Sequence, residues 1–113
     1  MKFAALAALV AALLAPMATA STPTLTATVG PGFTITLKKG AAKVTTLPAG
    51  KYKIVVADKS AIHNFHLTGP GVNKDTGVAK QGTVTWTVTL KKGTYKYVCD
   101  PHATIMRGSF KVT

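Results

Sequence analysis

From Thr83 to Leu90 the chain alternates without a break. Val84, Trp86, Val88 and Leu90 fall on one side, and Thr83, Thr85, Thr87 and Thr89 on the other. A helix would scatter these residues around its axis. A strand gives them one apolar face and one solvated face. The same period recurs along the chain: Leu25, Ala27 and Val29; Phe33, Ile35 and Leu37; Tyr52, Ile54 and Val56; Tyr95, Tyr97 and Cys99; Phe110 and Val112. Turn signals separate the runs, among them Gly30-Pro31-Gly32, Pro48-Ala49-Gly50, Asp58-Lys59-Ser60, Gly69-Pro70-Gly71 and Lys91-Lys92-Gly93. Weaker runs lie at 43–47 and at 62–68, the latter broken by two histidines. Residues 72–82 are polar and have no clear period, so a loop holding at most a turn of helix is expected there. No segment has helical periodicity. The pattern predicts an all-β fold, a single Greek-key sandwich or barrel of about eight strands, with lysines blunting its edges.

The first twenty residues read differently. Lys2 gives a positive start, 3–15 is almost unbroken apolar, Pro16 ends the run, and Ala18-Thr19-Ala20 offers small residues for cleavage. The run is too short to span a bilayer as a helix. It reads as a secretory signal, residues 1–20, cut after Ala20. One domain, residues 21–113, would remain. Position 21 is serine, so a lipid anchor on a cysteine there is excluded, and no later run is long enough to cross a membrane. The expectation is an exported monomer, in the periplasm or outside the cell.

The whole chain has 14 basic and 3 acidic residues, a net charge of +11. Removal of Lys2 with the signal leaves +10 on a domain whose acids are Asp58, Asp75 and Asp100. Such a field draws anionic partners, and it acts on association rate more than on fold. The lysines are dispersed, with no arginine-rich block and no interleaved aromatics. A nucleic-acid role therefore has only weak support. Acidic protein partners fit better, beside the plainer reading of a basic, solvated surface.

Cys99 is the only cysteine. In an exported protein it has no internal disulfide partner, so burial or a metal must protect the thiol. Pro101 stops the strand that leads to Cys99 and favours a tight loop. His102 and Met106 follow in that loop. A thiolate, an imidazole and a thioether close together suit copper and suit hard cations poorly. Zinc is the rival, but structural zinc sites are closed by four Cys or His ligands, and this chain has one cysteine. Taken singly, Cys99 and Met106 would each pass as core residues. A fourth ligand must come from elsewhere, and only His63 and His66 are available. On a strand these two point to opposite faces, so at most one joins the site. His63, just after a turn, is better placed at the end of a sandwich. His66, between Phe65 and Leu67, reads as an ordinary strand histidine.

The residues His63-Asn64, then a Gly-Pro-Gly turn, a threonine-rich strand, Gly93-x-Tyr95-x-Tyr97-x-Cys99-x-Pro101-His102, Met106 and a final Gly108-x-Phe110 strand resemble the blue-copper cupredoxins. The plastocyanin, pseudoazurin and amicyanin branches are the nearest in pattern. The resemblance covers most of residues 21–113. It implies one copper ion held by His63, Cys99 and His102, with Met106 as a weak axial ligand. It implies that Asn64 tethers the cysteine loop and that His66 is not a ligand. Two departures stand out. The spacer Ala103-Thr104-Ile105 is shorter than in plastocyanins and longer than in amicyanins. Asp100 replaces the usual Ser or Thr after the cysteine, which places a carboxylate near the sulfur and should lower the reduction potential.

Four protein ligands leave no open position for a substrate. No Ser/His/Asp set or carboxylate pair is evident, and Cys99 with His102 lacks an orienting third group. The chain is therefore expected not to be an enzyme. It is expected to shuttle single electrons between redox partners, with His102, Pro101, Ala103 and Ile105 forming an apolar exit surface as in the family. The alternatives are a copper carrier or storage module and a metal-free interaction domain.

Overall fold

The computed structural model describes residues 21–113, so the expected signal at 1–20 lies outside the described residues. Ten strands form two five-stranded sheets. β1 (Thr24–Val29), β2 (Ile35–Lys39), β3 (Ala42–Lys43), β5 (Gly50–Asp58) and β8 (Gly82–Leu90) make the first sheet, in the order β3-β2-β1-β5-β8. β4 (Thr46–Leu47), β6 (His66–Gly69), β7 (Val72–Asp75), β9 (Gly93–Val98) and β10 (Arg107–Val112) make the second, in the order β4-β10-β9-β6-β7. Pairings are antiparallel except β1 with β5 and β4 with β10. The only helical segment among the described residues is one 3-10 turn, Asp100–His102.

The alternation explains the core. Leu25, Ala27, Val29, Leu37, Ile54 and Val56 face inward from the first sheet, and Leu67, Tyr95, Tyr97, Phe110 and Val112 from the second. Tyr95 stacks on Phe110 at 5.2 Å between ring centroids, and Phe65 on Tyr97 at 5.5 Å. Gly108 is fixed by this packing: a Cβ there would sit 2.3 Å from the Tyr97 ring. At the far end from Cys99, the Tyr95 hydroxyl donates to the Lys91 carbonyl at 2.9 Å and accepts from the Lys91 N–H at 2.9 Å. A buried phenol finds partners in this way and pins the turn before β9.

Four local expectations change. Residues 72–82 are not all loop, because Val72–Asp75 pairs with β6 as the hairpin strand β7. Only Val72 is buried there, so the backbone ladder holds a strand that side-chain periodicity does not announce. The run at 43–47 is two strands in different sheets, and the chain crosses between layers at Val44. The run at 62–68 becomes strand only from His66. Val84 and Phe33 face solvent at 38% and 56% exposure. Val84 lies on the early half of β8, an edge strand, and Phe33 precedes β2 in a bend.

The β6–β9 register positions the site. His66 pairs with Val98 and Leu67 with Tyr97. The residues just before β6 are thereby laid beside those just after β9. A one-residue slip would move the whole set to the other face.

Candidate metal centre

Cys99 follows β9, and the chain turns at once. The Cys99 carbonyl accepts from the His102 N–H at 3.0 Å, the His102 carbonyl from the Met106 N–H at 2.8 Å, and the Met106 carbonyl from the Cys99 N–H at 2.9 Å. These three bonds close the loop on itself. Pro101, in the first turn of the 3-10 segment, has no N–H to leave unpaired there. Met106 is fully buried.

The loop brings Cys99 and His102 together, and the chain before β6 adds His63. The two imidazole Nδ1 atoms lie 3.1 Å apart, and Cys99 Sγ lies 3.6 Å from that of His63 and 3.5 Å from that of His102. The point equidistant from these three atoms is about 2 Å from each, close to the length of a metal–imidazole bond. His63 and Cys99 are fully buried, while His102 is partly exposed. All three belong to one cluster of candidate ligands.

Asn64, also fully buried, holds the neighbouring structure. Its Oδ1 accepts from the Asp100 N–H at 2.7 Å. Its Nδ2 donates to Asp100 Oδ2 at 2.7 Å and to Asp75 Oδ1 at 2.9 Å. One side chain thus links the residue after the first histidine, the residue after the cysteine, and β7. His66 points the other way. Its Nδ1 lies 3.0 Å from Asp100 Oδ2 and its Nε2 2.7 Å from Asn73 Oδ1. The contact to Asn73, followed by the Asp100 carboxylate, raises the His66 pKa against the opposing effect of burial. For Asp75, burial is the largest single influence and acts upward. The Gly77 N–H, the Asn64 amide and His66 together outweigh it and leave the carboxyl below its usual range.

A family model described as a cupredoxin-like domain matches residues 4–112. The chain belongs to the cupredoxin family. Among solved structures, reduced rusticyanin superposes with a TM-score of 0.61 at 25% identity, covering 83% of this chain and 82% of that one. Rusticyanin from Thiobacillus ferrooxidans gives a TM-score of 0.53 at 25% identity, covering 83% and 79%. A mutant of amicyanin in the Cu(I) state matches in fold, with a TM-score of 0.52 at 17% identity over 80% of this chain and 83% of that one. No curated protein matches.

Copper is the metal that cupredoxins hold, and the donors here fit it. One cysteine sulfur and two imidazoles converge around a point at bonding distance, and the loop methionine is itself buried. Of the residues expected from the sequence, His63, Cys99 and His102 converge; Met106 is buried and bonded through its backbone to Cys99 and His102, and Asn64 is bonded to Asp100. His66 is outside the cluster.

The sequence reading missed Phe33. Its ring meets His102 edge-on at 4.9 Å and His63 at 5.4 Å, yet more than half of the residue is exposed. Its even spacing with Ile35 and Leu37 pointed to the core. The Gly30-Pro31-Gly32 turn just before it was the signal that the strand had not begun. Phe33, Ile62 and Ile105 are three of the five large apolar residues most exposed in the described structure, and all lie next to the cupredoxin centre in space or in sequence.

Proposed function

We propose that this cupredoxin carries single electrons between redox proteins at a type 1 copper centre formed by His63, Cys99, His102 and Met106. The observation that carries the reading is the triangle of Cys99 Sγ and two Nδ1 atoms around a point at bonding distance. When bound, copper supplies the one-electron couple. The chain supplies the rest. His63, Cys99 and Met106 exclude water, and the self-bonded loop holds the donors still while charge changes. His102 alone reaches toward the surface, and Phe33 with the exposed Ile105 flanks its route. An apolar surface around one ligand edge suits brief contact with another redox centre.

The basic residues favour an acidic partner. Lys43, Lys96 and Arg107 line a depression of about 610 Å³ whose rim includes Ala103 of the metal loop. Lys38 joins Lys43 and Arg107 in the adjoining hollow. None of the four is in an ion pair among the described residues. Exchange with an acidic redox protein should be fast at low salt and slow as salt screens the field. A rate indifferent to salt would remove the acidic-partner reading. No described helix is long and apolar enough to cross a membrane. The apolar segment at 3–15 supports export to the periplasm, which a mature N-terminus at Ser21 would test.

Adding Cu(II) to the protein of residues 21–113 should give an intense blue thiolate charge-transfer band. Its absence would end the reading. Reduction should bleach the band with copper retained, since three of the four proposed donors are fully buried. Loss of the ion on reduction would instead identify a copper carrier.

A further inference from the structure

Among the described residues, only two buried side-chain atoms have no hydrogen-bond partner: His63 Nε2 and Asp58 Oδ2. Their chemistry is complementary. His63 presents Nδ1 to the Cys99 sulfur and to His102. A neutral imidazole that offers one nitrogen's lone pair to a metal carries its proton on the other. Nε2 is therefore a donor. A carboxylate oxygen is an acceptor. Leaving each of them buried and unmatched would carry the full desolvation penalty of a polar group.

The surrounding chain brings them to the same place. Asp58 ends β5 and pairs with Val29, the residue before Gly30. Asp58 Oδ1 accepts from the Ser60 N–H at 3.0 Å, which leaves Oδ2 free. A Cβ on Gly30 would lie 3.2 Å from Ser60 Cβ and 3.0 Å from Cδ2 of His63. Cδ2 is bonded to Nε2, so the edge of the ring that faces Gly30 is the one that carries the proton. Gly30 has φ +71° and no side chain. It leaves the space between the turn after β5 and the back of the imidazole clear.

We infer that Asp58 is a positioning residue for the metal centre, its carboxylate accepting the His63 Nε2 proton through one bridging water and so fixing the tautomer in which Nδ1 is the ligand atom. Metal-bound histidines are commonly held by such a carboxylate, and losing it weakens metal binding by about 10- to 100-fold. The arrangement also explains a buried acid in a chain with only 3 of them. Asp58 is 3% exposed, and no lysine or arginine pairs with it.

The inference rests on His63 being a ligand, and the experiment separates the two. If no blue centre forms in the wild type, the ligand assignment fails first. If it forms, the test is Asp58→Asn. The asparagine can still accept from the Ser60 N–H through its oxygen, but it then turns an amide donor toward His63. The ring nitrogens of His63 are followed by 15N–1H correlation in the diamagnetic Cu(I) protein and in the metal-free protein. The wild type should show a slowly exchanging Nε2–H in both. Asp58→Asn should move the metal-free ring toward the Nδ1–H tautomer and weaken Cu(II) binding by at least tenfold. Asp75→Asn, which removes an equal charge at the Asn64 side, should leave the His63 ring signals unchanged. An unchanged tautomer and unchanged Cu(II) affinity in Asp58→Asn would overturn the inference. If that variant does not fold, the wild type decides. A His63 Nε2–H in rapid exchange with solvent overturns the inference, and a protected one beside a bound water upholds it.

Discussion

His63 and His66 stand three residues apart in sequence, on opposite sides of Asn64. Around His63, three atoms with lone pairs, two Nδ1 and the Cys99 sulfur, face one another at 3.1–3.6 Å. None of the three is an obligate donor, and no other side chain donates to them. Around His66, each nitrogen meets an oxygen, and the Asn64 amide already lies between the carboxylates of Asp75 and Asp100. Both groups place three titratable side chains close enough to suggest a metal. Only the first gathers a sulfur and two imidazole nitrogens around a point at bonding distance. The second is complete as a hydrogen-bonded brace. Proximity of ligand-type residues is therefore a weaker sign than convergence of acceptors without donors.

The sharpest way to break the contrast is to remove each histidine in turn. His63→Ala, like Cys99→Ser, should abolish the blue band, whereas His66→Ala should keep its position and intensity. Absorption titration with Cu(II) reads both. A blue His63→Ala protein would show that the two clusters are not distinct in kind.

Asn64→Ala tests the divider between them. It removes three hydrogen bonds from a fully buried position and leaves the Asp100 N–H without its acceptor. A loss of about 2–4 kcal/mol is expected, measured by denaturant unfolding of the metal-free protein. A loss under about 1 kcal/mol would mean that the loop does not depend on the brace.

Asp100→Asn bears on the cysteine side. The carboxylate follows the sulfur ligand in sequence, but it is 47% exposed and turned toward His66 and Asn64. Removing its charge should raise the reduction potential only modestly, by tens of millivolts, where ~59 mV is a tenfold change for one electron. Voltammetry reads the shift. An unchanged potential would place the carboxylate wholly within the outer cluster.

The smallest effect is on pH. The raised His66 pKa means that its contribution is fully present below its unfolded value and is lost as pH rises through the folded one. The lowered Asp75 pKa means that its contribution is present above its unfolded value and is lost as pH falls. Together they stabilise most between about pH 4 and 6.5. The stability gap between wild type and His66→Asn should be widest there and narrow toward pH 8. A gap that is flat with pH would mean that His66 is not charged in the fold.

Much of this was legible in the residues. Val88, Leu90, Ile54 and Tyr97 declare two buried faces by their spacing alone. Cys99, Pro101, His102 and Met106 declare a soft-ligand loop, because a proline ends the strand where the donors begin. What stayed hidden depended on contacts between distant segments. β7 has one buried residue, and its strand character comes from pairing with β6. Phe33 keeps the spacing of a core residue but sits before its strand, against the two imidazoles. The links from Asn64 to Asp75 and from Asn73 to His66 follow from the β6–β7 hairpin, which the sequence pattern does not show.

The lateral order of the strands also completes the site. His63 and Cys99 are 36 residues apart, and they meet only when β6 docks along β9. Without that pairing the loop by itself brings together Cys99 and His102, a two-point grip. The complete socket belongs to the paired strands and not to the loop alone.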